Sequence, residues 1–242
     1  MGAATNAGSE SSRSSNVREG LVVSERGPGS EHWDSPSTKA SGAWEQRRRL
    51  ATAMREVIER LVSSGAPEEE LRSAAEALER YAEHLGTHPT LRRREGFGET
   101  STAGDVAEFF DMSPLIGLSN PLSPPIELWI EGDRAFGRVS FGTAYEGPPG
   151  HVHGGFVAAA FDEVLGYAQS LSESPGMTGR LIVHYRSPTP LDRELRFEAW
   201  VERVDGRKII TRGELFAGDL LCAEAEGLFV SVDRERFRAL LD

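Results

Sequence analysis

Two histidines, two glycines and two carboxylates crowd one short stretch of this 242-residue chain: His151 and His153 lead into Gly154 and Gly155, and Asp162 and Glu163 interrupt the apolar run that follows. Each type brings a definite capability. Glycines that open a helix leave its first N–H groups bare, at the positive end of the macrodipole, where they can polarise a carbonyl oxygen. A carboxylate among apolar neighbours, if partly desolvated, has a raised pKa and serves as a general base for water. A carbonyl clamp together with a base describes hydrolysis by acyl transfer.

Spacing complicates that picture. Gly155 and Asp162 are seven residues apart, about 10.5 Å along a helix axis, whereas a carbonyl oxygen and the water attacking its carbon lie within a few ångströms of each other. One helix does not supply both groups to one substrate. Two antiparallel copies related by a two-fold axis do, because each lays its Asp162 beside the other's Gly154-Gly155 turn. The pattern therefore predicts a dimer with composite sites.

Other chemistries fit less well. His151-x-His153 needs a third metal ligand from Asp162 or His184, and no zinc-binding spacing is present, so no metal is expected. Glu163 points about 100° away from Asp162 on a helix, which argues against a carboxylate pair. The chain has no G-x-S-x-G elbow, and its single cysteine, Cys222, falls in a strand-like segment, so an acyl-enzyme on serine or cysteine is disfavoured. His184 in LIVHYR reads as a strand residue.

The elements that must hold these groups follow from periodicity. Phe156, Val157, Ala160, Phe161, Val164, Leu165 and Tyr167 leave a helix with little polar surface, so a sheet is expected to wrap it. Gly155, Ala158, Ala159, Asp162 and Gly166 share the remaining face, small enough for something to approach closely. Strands are expected at IELWI and GRVSF around a turn at Glu131–Arg134, at LIVHYR, at LRFEAWVERV and RKIITRGELF joined by Asp205-Gly206, and at LLCAEAEGLFVSV. The class is α+β: one long helix among five or six antiparallel strands. DVAEFF and RERFRALL read as short helices.

Ahead of this lie three other segments. Residues 1–41 are rich in Ser, Gly and Glu and read as a disordered tail. Residues 42–86 form a helical hairpin, with Leu50, Met54, Val57, Ile58 and Leu61 on one stripe and Leu71, Ala74, Ala75, Leu78 and Leu85 on another, expected to pack against the next domain or a second subunit. Residues 87–104 read as a linker to a domain spanning 105–242. With 38 acidic against 27 basic residues, the chain is not built to neutralise phosphates, which excludes nucleic acid as the main partner. The lone cysteine suits a reducing compartment, and neither a signal peptide nor a membrane-spanning run is evident, so a cytoplasmic protein is expected.

His153-Gly154-Gly155 with Asp162 nine residues after the histidine, preceded by EGPPGHV and followed at Thr178 by TGRLIVHYRSPTPL, resembles the hotdog-fold acyl-CoA thioesterases of the phenylacetate-pathway and thioesterase-superfamily-member type, over roughly residues 105–232. The resemblance implies a hotdog fold, a central helix wrapped by the sheet, and side-by-side pairing of protomers into a homodimer or tetramer. It implies that Asp162 is the general base or nucleophile, that the Gly154/Gly155 turn binds the thioester oxygen and that His153 holds that end of the site. Thr178, from the facing strand, would position Asp162 or the lytic water across the dimer. An acyl-CoA is then the substrate, in fatty acid metabolism, with no organic cofactor. Arg180, Arg186, Arg207 and Lys208 are candidates for the coenzyme A phosphates. A non-catalytic acyl-CoA sensor is the rival reading; a hotdog hydratase fits less well, since those generally place the acid before the histidine.

Overall fold

A computed structural model describes residues 42–90, 110–172, 174 and 176–231. The expected disordered tail, all of the linker beyond Thr90, the DVAEFF segment before Phe110 and the terminal RERFRALL helix lie outside the described residues.

Helix α1 spans Ala43–Val62 and α2 spans Glu68–Gly86, on either side of Pro67, whose extended ψ sets the start of α2. The six strands are β1 (Glu127–Glu131), β2 (Arg134–Val139), β3 (Gly176–Tyr185), β4 (Leu195–Asp205), β5 (Lys208–Ala217) and β6 (Leu220–Ser231). They form one antiparallel sheet in the order β1-β2-β4-β5-β6-β3. Gly132 and Gly206, with φ of 63° and 57°, close the β1–β2 and β4–β5 hairpins in the left-handed conformation that favours glycine.

Helix α3, Gly154–Gln169, carries the chain from the β2 side of the sheet to the far edge, where β3 pairs with β6. The sheet curls around it as its composition requires. Val157, Ala160, Phe161, Val164, Leu165 and Ala168 are all essentially inaccessible, and Phe161 meets Phe197 of β4 edge-on at 5.1 Å. Burying each such large side chain stabilises the fold by about 1.5–3 kcal/mol. A side chain at Gly213 would meet Leu165 at 3.1 Å and the Glu198 carbonyl at 3.2 Å, so the helix sits that low because glycine lies beneath it.

The exposed or half-buried residues of α3 include the expected small ones: Gly155 and Asp162 face outward, with Ala158, Ala159 and Gly166 half-buried between them. Of the N-terminal helices, α1 meets the domain that follows it. Ala51 is the one buried residue of α1, and the docked face carries Arg48, Arg55 and Glu59, while Val57 and Leu61 of the apolar stripe stay exposed. Leu50, Met54 and Ile58 of that stripe are half-buried, and hydrogen bonds from the charged side chains add to what they hold. No residue of α2 is buried; Leu71, Leu78, Tyr81 and Leu85 face solvent in the single chain. No helix among the described residues is long and apolar enough to cross a membrane.

Candidate functional site

The loop before α3 folds back on itself. Glu146 and Val152 form a bridge, Gly147 N–H donates to the His151 carbonyl at 2.9 Å, and His153 N–H donates to the Tyr145 carbonyl at 2.9 Å. Gly147 lies so near the next strand of the loop that a Cβ there would stand 2.7 Å from the His153 Cα. Glu146 accepts from Gly150 N–H at 2.6 Å, across the turn at which Gly150 takes a φ of 75°. The consequence is a rigidly aimed His153.

His153 is the N-cap of α3: its Nδ1 accepts from the Gly155 N–H at 3.0 Å, which requires that nitrogen to be unprotonated. Of the two donors that the sequence assigned to the turn, Gly155 N–H is thus occupied within the chain, while Gly154 N–H has no acceptor among the described residues. Tyr185, at the end of β3, donates its hydroxyl to the Gly154 carbonyl at 2.7 Å. Gly154, Gly155 and Tyr185 border a cleft of about 550 Å³ whose walls also include His151, Val152, Arg186 and Thr189.

Asp162 sits two turns away on the same helix. It is exposed, and Thr178 donates its hydroxyl to Oδ1 at 2.9 Å. Both belong to one chain. A bulge explains how the strand reaches the helix: Thr178 pairs with Phe229 and Arg180 with Leu228, leaving Gly179 extra, and such an insertion re-aims neighbouring side chains. The fold therefore brings Asp162 to Thr178, and His153 to the Gly154-Gly155 turn that borders the cleft. It leaves the two groups at opposite ends of about 10.5 Å of helix.

Of the four cations expected to meet phosphates, only Arg186 borders this cleft, and it is paired with Glu224 at 2.5 Å. Arg180 pairs with Glu226 at 3.1 Å on the outer sheet edge. Arg207 donates to the Ser231 carbonyl at 3.1 Å and Lys208 is exposed, both at the β4–β5 hairpin. His184 is exposed on β3. Burial pushes the Cys222 thiol up, the wrong direction for a nucleophile. Among the described residues, no cluster of three or more His, Cys, Asp and Glu side chains could hold a metal.

Two participants, Tyr185 and Ser113, were not read from the sequence. Tyr185 meets the helix N-terminus only because β3 crosses to the sheet edge beside it, a long-range pairing that local pattern does not encode. Glu163 accepts from the Ser113 hydroxyl at 2.7 Å, and Ser113 in turn accepts from the Leu115 N–H at 3.3 Å. Burial pushes the Glu163 carboxyl up, the Ser113 hydroxyl offsets part of that, and the neighbouring Asp162 charge adds to it. Glu163 is thus the carboxyl perturbed by burial, tied to the Ser-Pro segment that crosses the helix.

This architecture is the hotdog fold, and the chain belongs to the thioesterase superfamily. The Thioesterase superfamily model matches residues 149–223, from the loop to the first residues of β6. A crystal structure of a thioesterase superfamily protein is 33% identical and superposes with a TM-score of 0.67, covering 80% of this chain and 97% of its own. Among curated proteins, the chain is similar to acyl-coenzyme A thioesterase THEM4 of Xenopus laevis, 34% identical over 93 residues, and to that of Mus musculus, 32% identical over 97 residues. Those matches take in 38% and 39% of this chain and 42% of each relative, so the chain spans less than half the length of the curated relatives it matches.

Proposed function

We propose that this protein is an acyl-CoA thioesterase, hydrolysing an acyl-CoA to the free carboxylic acid and coenzyme A, and that its active sites are shared between two copies of the chain. The observation that carries the reading is Asp162: an exposed carboxylate, held by Thr178, on the small-residue face of a helix otherwise sunk in the core. Asp162 takes a proton from water as the water oxygen attacks the thioester carbon. The Gly154 N–H of the other copy stabilises the oxyanion; collapse then breaks the carbon–sulfur bond, and the departing thiolate recovers a proton. Thr178 fixes one carboxylate oxygen and leaves the other for the water.

The pairing rests on geometry. Neither half-site is complete alone, and the face between them carries only small residues, so an antiparallel copy can approach closely. Coenzyme A would run from the cleft past Arg186, and residues 105–242 would make up the catalytic domain. The similarity to THEM4 supports the substrate class, and the lone, buried Cys222 suits a cytoplasmic setting.

The test is thiol release from a panel of short, long and aryl acyl-CoAs. Asp162→Asn should lower turnover by about 10³-fold or more with the oligomer intact, at the upper end of what a positioned acid–base group contributes. Ordinary turnover by that variant would sink the assignment. Binding of acyl-CoA by the wild type with no thiol released from any member would instead favour the sensor.

A further inference from the structure

Helix α1 lies outside residues 149–223, which carry the family match, yet its side chains reach the loop that aims His153. Three attachments run along one face. Arg48 meets the fully buried Asp111 at 3.0 Å, and Ser119 donates its hydroxyl to the same carboxylate oxygen. Arg55 donates to the Asn120 carbonyl at 2.9 Å and the Leu118 carbonyl at 3.3 Å. The third is Glu59.

Both Glu59 carboxylate oxygens are used: Thr143 N–H donates to one at 2.6 Å and Ala144 N–H to the other at 2.9 Å. These are the leading N–H groups of the single-turn helix Thr143–Tyr145, so the carboxylate caps it from outside. The fit is close, because a Cβ on Gly142 would stand 2.6 Å from Glu59 Oε2. Burial disfavours ionisation of Glu59, but the bonds from Ala144 and Thr143 outweigh it and hold the carboxyl below its ordinary value. It is therefore charged at neutral pH.

Tyr145 ends that turn and passes its position on. Its carbonyl accepts the His153 N–H at 2.9 Å, its ring packs edge-on against Phe156 of α3 at 4.9 Å and against Phe141 at 5.3 Å, and its hydroxyl donates to the Leu122 carbonyl at 3.1 Å. An unbroken series of hydrogen bonds and ring contacts thus leads from Glu59 to the N-cap of α3.

Resting on the thioesterase reading for its kinetic part, we infer that Glu59 is a positioning residue: by capping the Thr143–Tyr145 turn it sets Tyr145, and through Tyr145 the His153-Gly154-Gly155 turn that receives the thioester oxygen. It touches no substrate. Its loss changes where the oxyanion donor points, so it acts on kcat more than on KM.

Glu59→Ala and Gly142→Ala disturb the same contact from its two sides, and Glu59→Gln keeps an acceptor for one of the two N–H groups. Glu56→Ala, an exposed neighbour on α1, is the control. Hydrogen–deuterium exchange on the full chain should show faster exchange across residues 143–157 in Glu59→Ala and Gly142→Ala, a smaller rise in Glu59→Gln, and none in Glu56→Ala. With an acyl-CoA that the wild type hydrolyses, kcat should fall about 10- to 100-fold in the first two variants, the cost expected of misplacement by about an ångström, with KM within about two-fold. Wild-type exchange across 143–157 in Glu59→Ala would overturn the inference, as would unchanged kcat in an active enzyme. A wild type that hydrolyses no acyl-CoA would overturn the thioesterase reading instead, and the exchange result would still decide whether Glu59 controls the turn.

Discussion

The N-terminus and the middle of helix α3 are finished differently. At the N-terminus, His153, Gly147, Tyr145 and Tyr185 hold the turn in place through the chain's own hydrogen bonds and contacts, and leave its cleft side open. Two turns on, Asp162 stands in the open with Thr178 as its partner. A preorganised donor is useful because it need not move as charge develops, whereas a base that must meet a substrate carried by another surface has to stay accessible. The difference is what the proposed sharing of a site between two copies requires.

That contrast can be broken from either side, and the effects should descend in a definite order. The greatest is the loss of thiol release in Asp162→Asn, because no other group at that position can take the proton. Next is Gly147→Ala: a methyl 2.7 Å from the His153 Cα forces the loop apart, and urea denaturation should report a loss of about 1–3 kcal/mol together with reduced turnover. Asp162→Asn should leave stability nearly unchanged, so the pair separates a lesion of chemistry from a lesion of architecture.

The smallest effect belongs to Glu163. Its folded-state carboxyl is held above its ordinary value, so the neutral form is favoured; the associated stability is fully present below the unfolded carboxyl range and is lost as pH rises through the folded value. Glu163→Gln keeps an acceptor for Ser113 and removes the charge. Denaturation midpoints taken between about pH 4 and pH 8 should show the variant gaining on the wild type as pH rises and then holding a constant advantage, within about 1 kcal/mol in all. An unchanged difference across that range would mean that Glu163 is not perturbed by its surroundings.

Much of this was legible in the sequence, for physical reasons. The wrapped helix could be read because its apolar residues cover nearly every direction around the axis, and the hairpins at Gly132 and Gly206 because left-handed turns favour glycine. The distance problem between Gly155 and Asp162 needed only the helical rise. Partnership was harder to read. The stripes of α1 and α2 predicted helices correctly, yet α1 also docks through Arg48, Arg55 and Glu59, and α2 buries nothing in the single chain, because periodicity identifies a face and not what meets it. Tyr185 and Ser113 were missed for the same reason: their partners are 31 and 50 residues away in the chain. The bulge at Gly179, beside the Thr178 that bonds Asp162, has no signature short of the strand register.

The central claim is that Asp162 of one chain works with the turn of another, and subunit mixing tests it most directly. Asp162→Asn and Gly154→Trp, the latter filling the cleft at the turn, should each be inactive alone. When the two are co-assembled at random, half of the dimers are mixed, and in each mixed dimer one composite site carries both lesions while the other carries neither. Thiol release should therefore recover to about one quarter of the wild-type rate. If each site were built within a single chain, every site would keep a lesion, and the mixture would release no more thiol than the two variants measured separately.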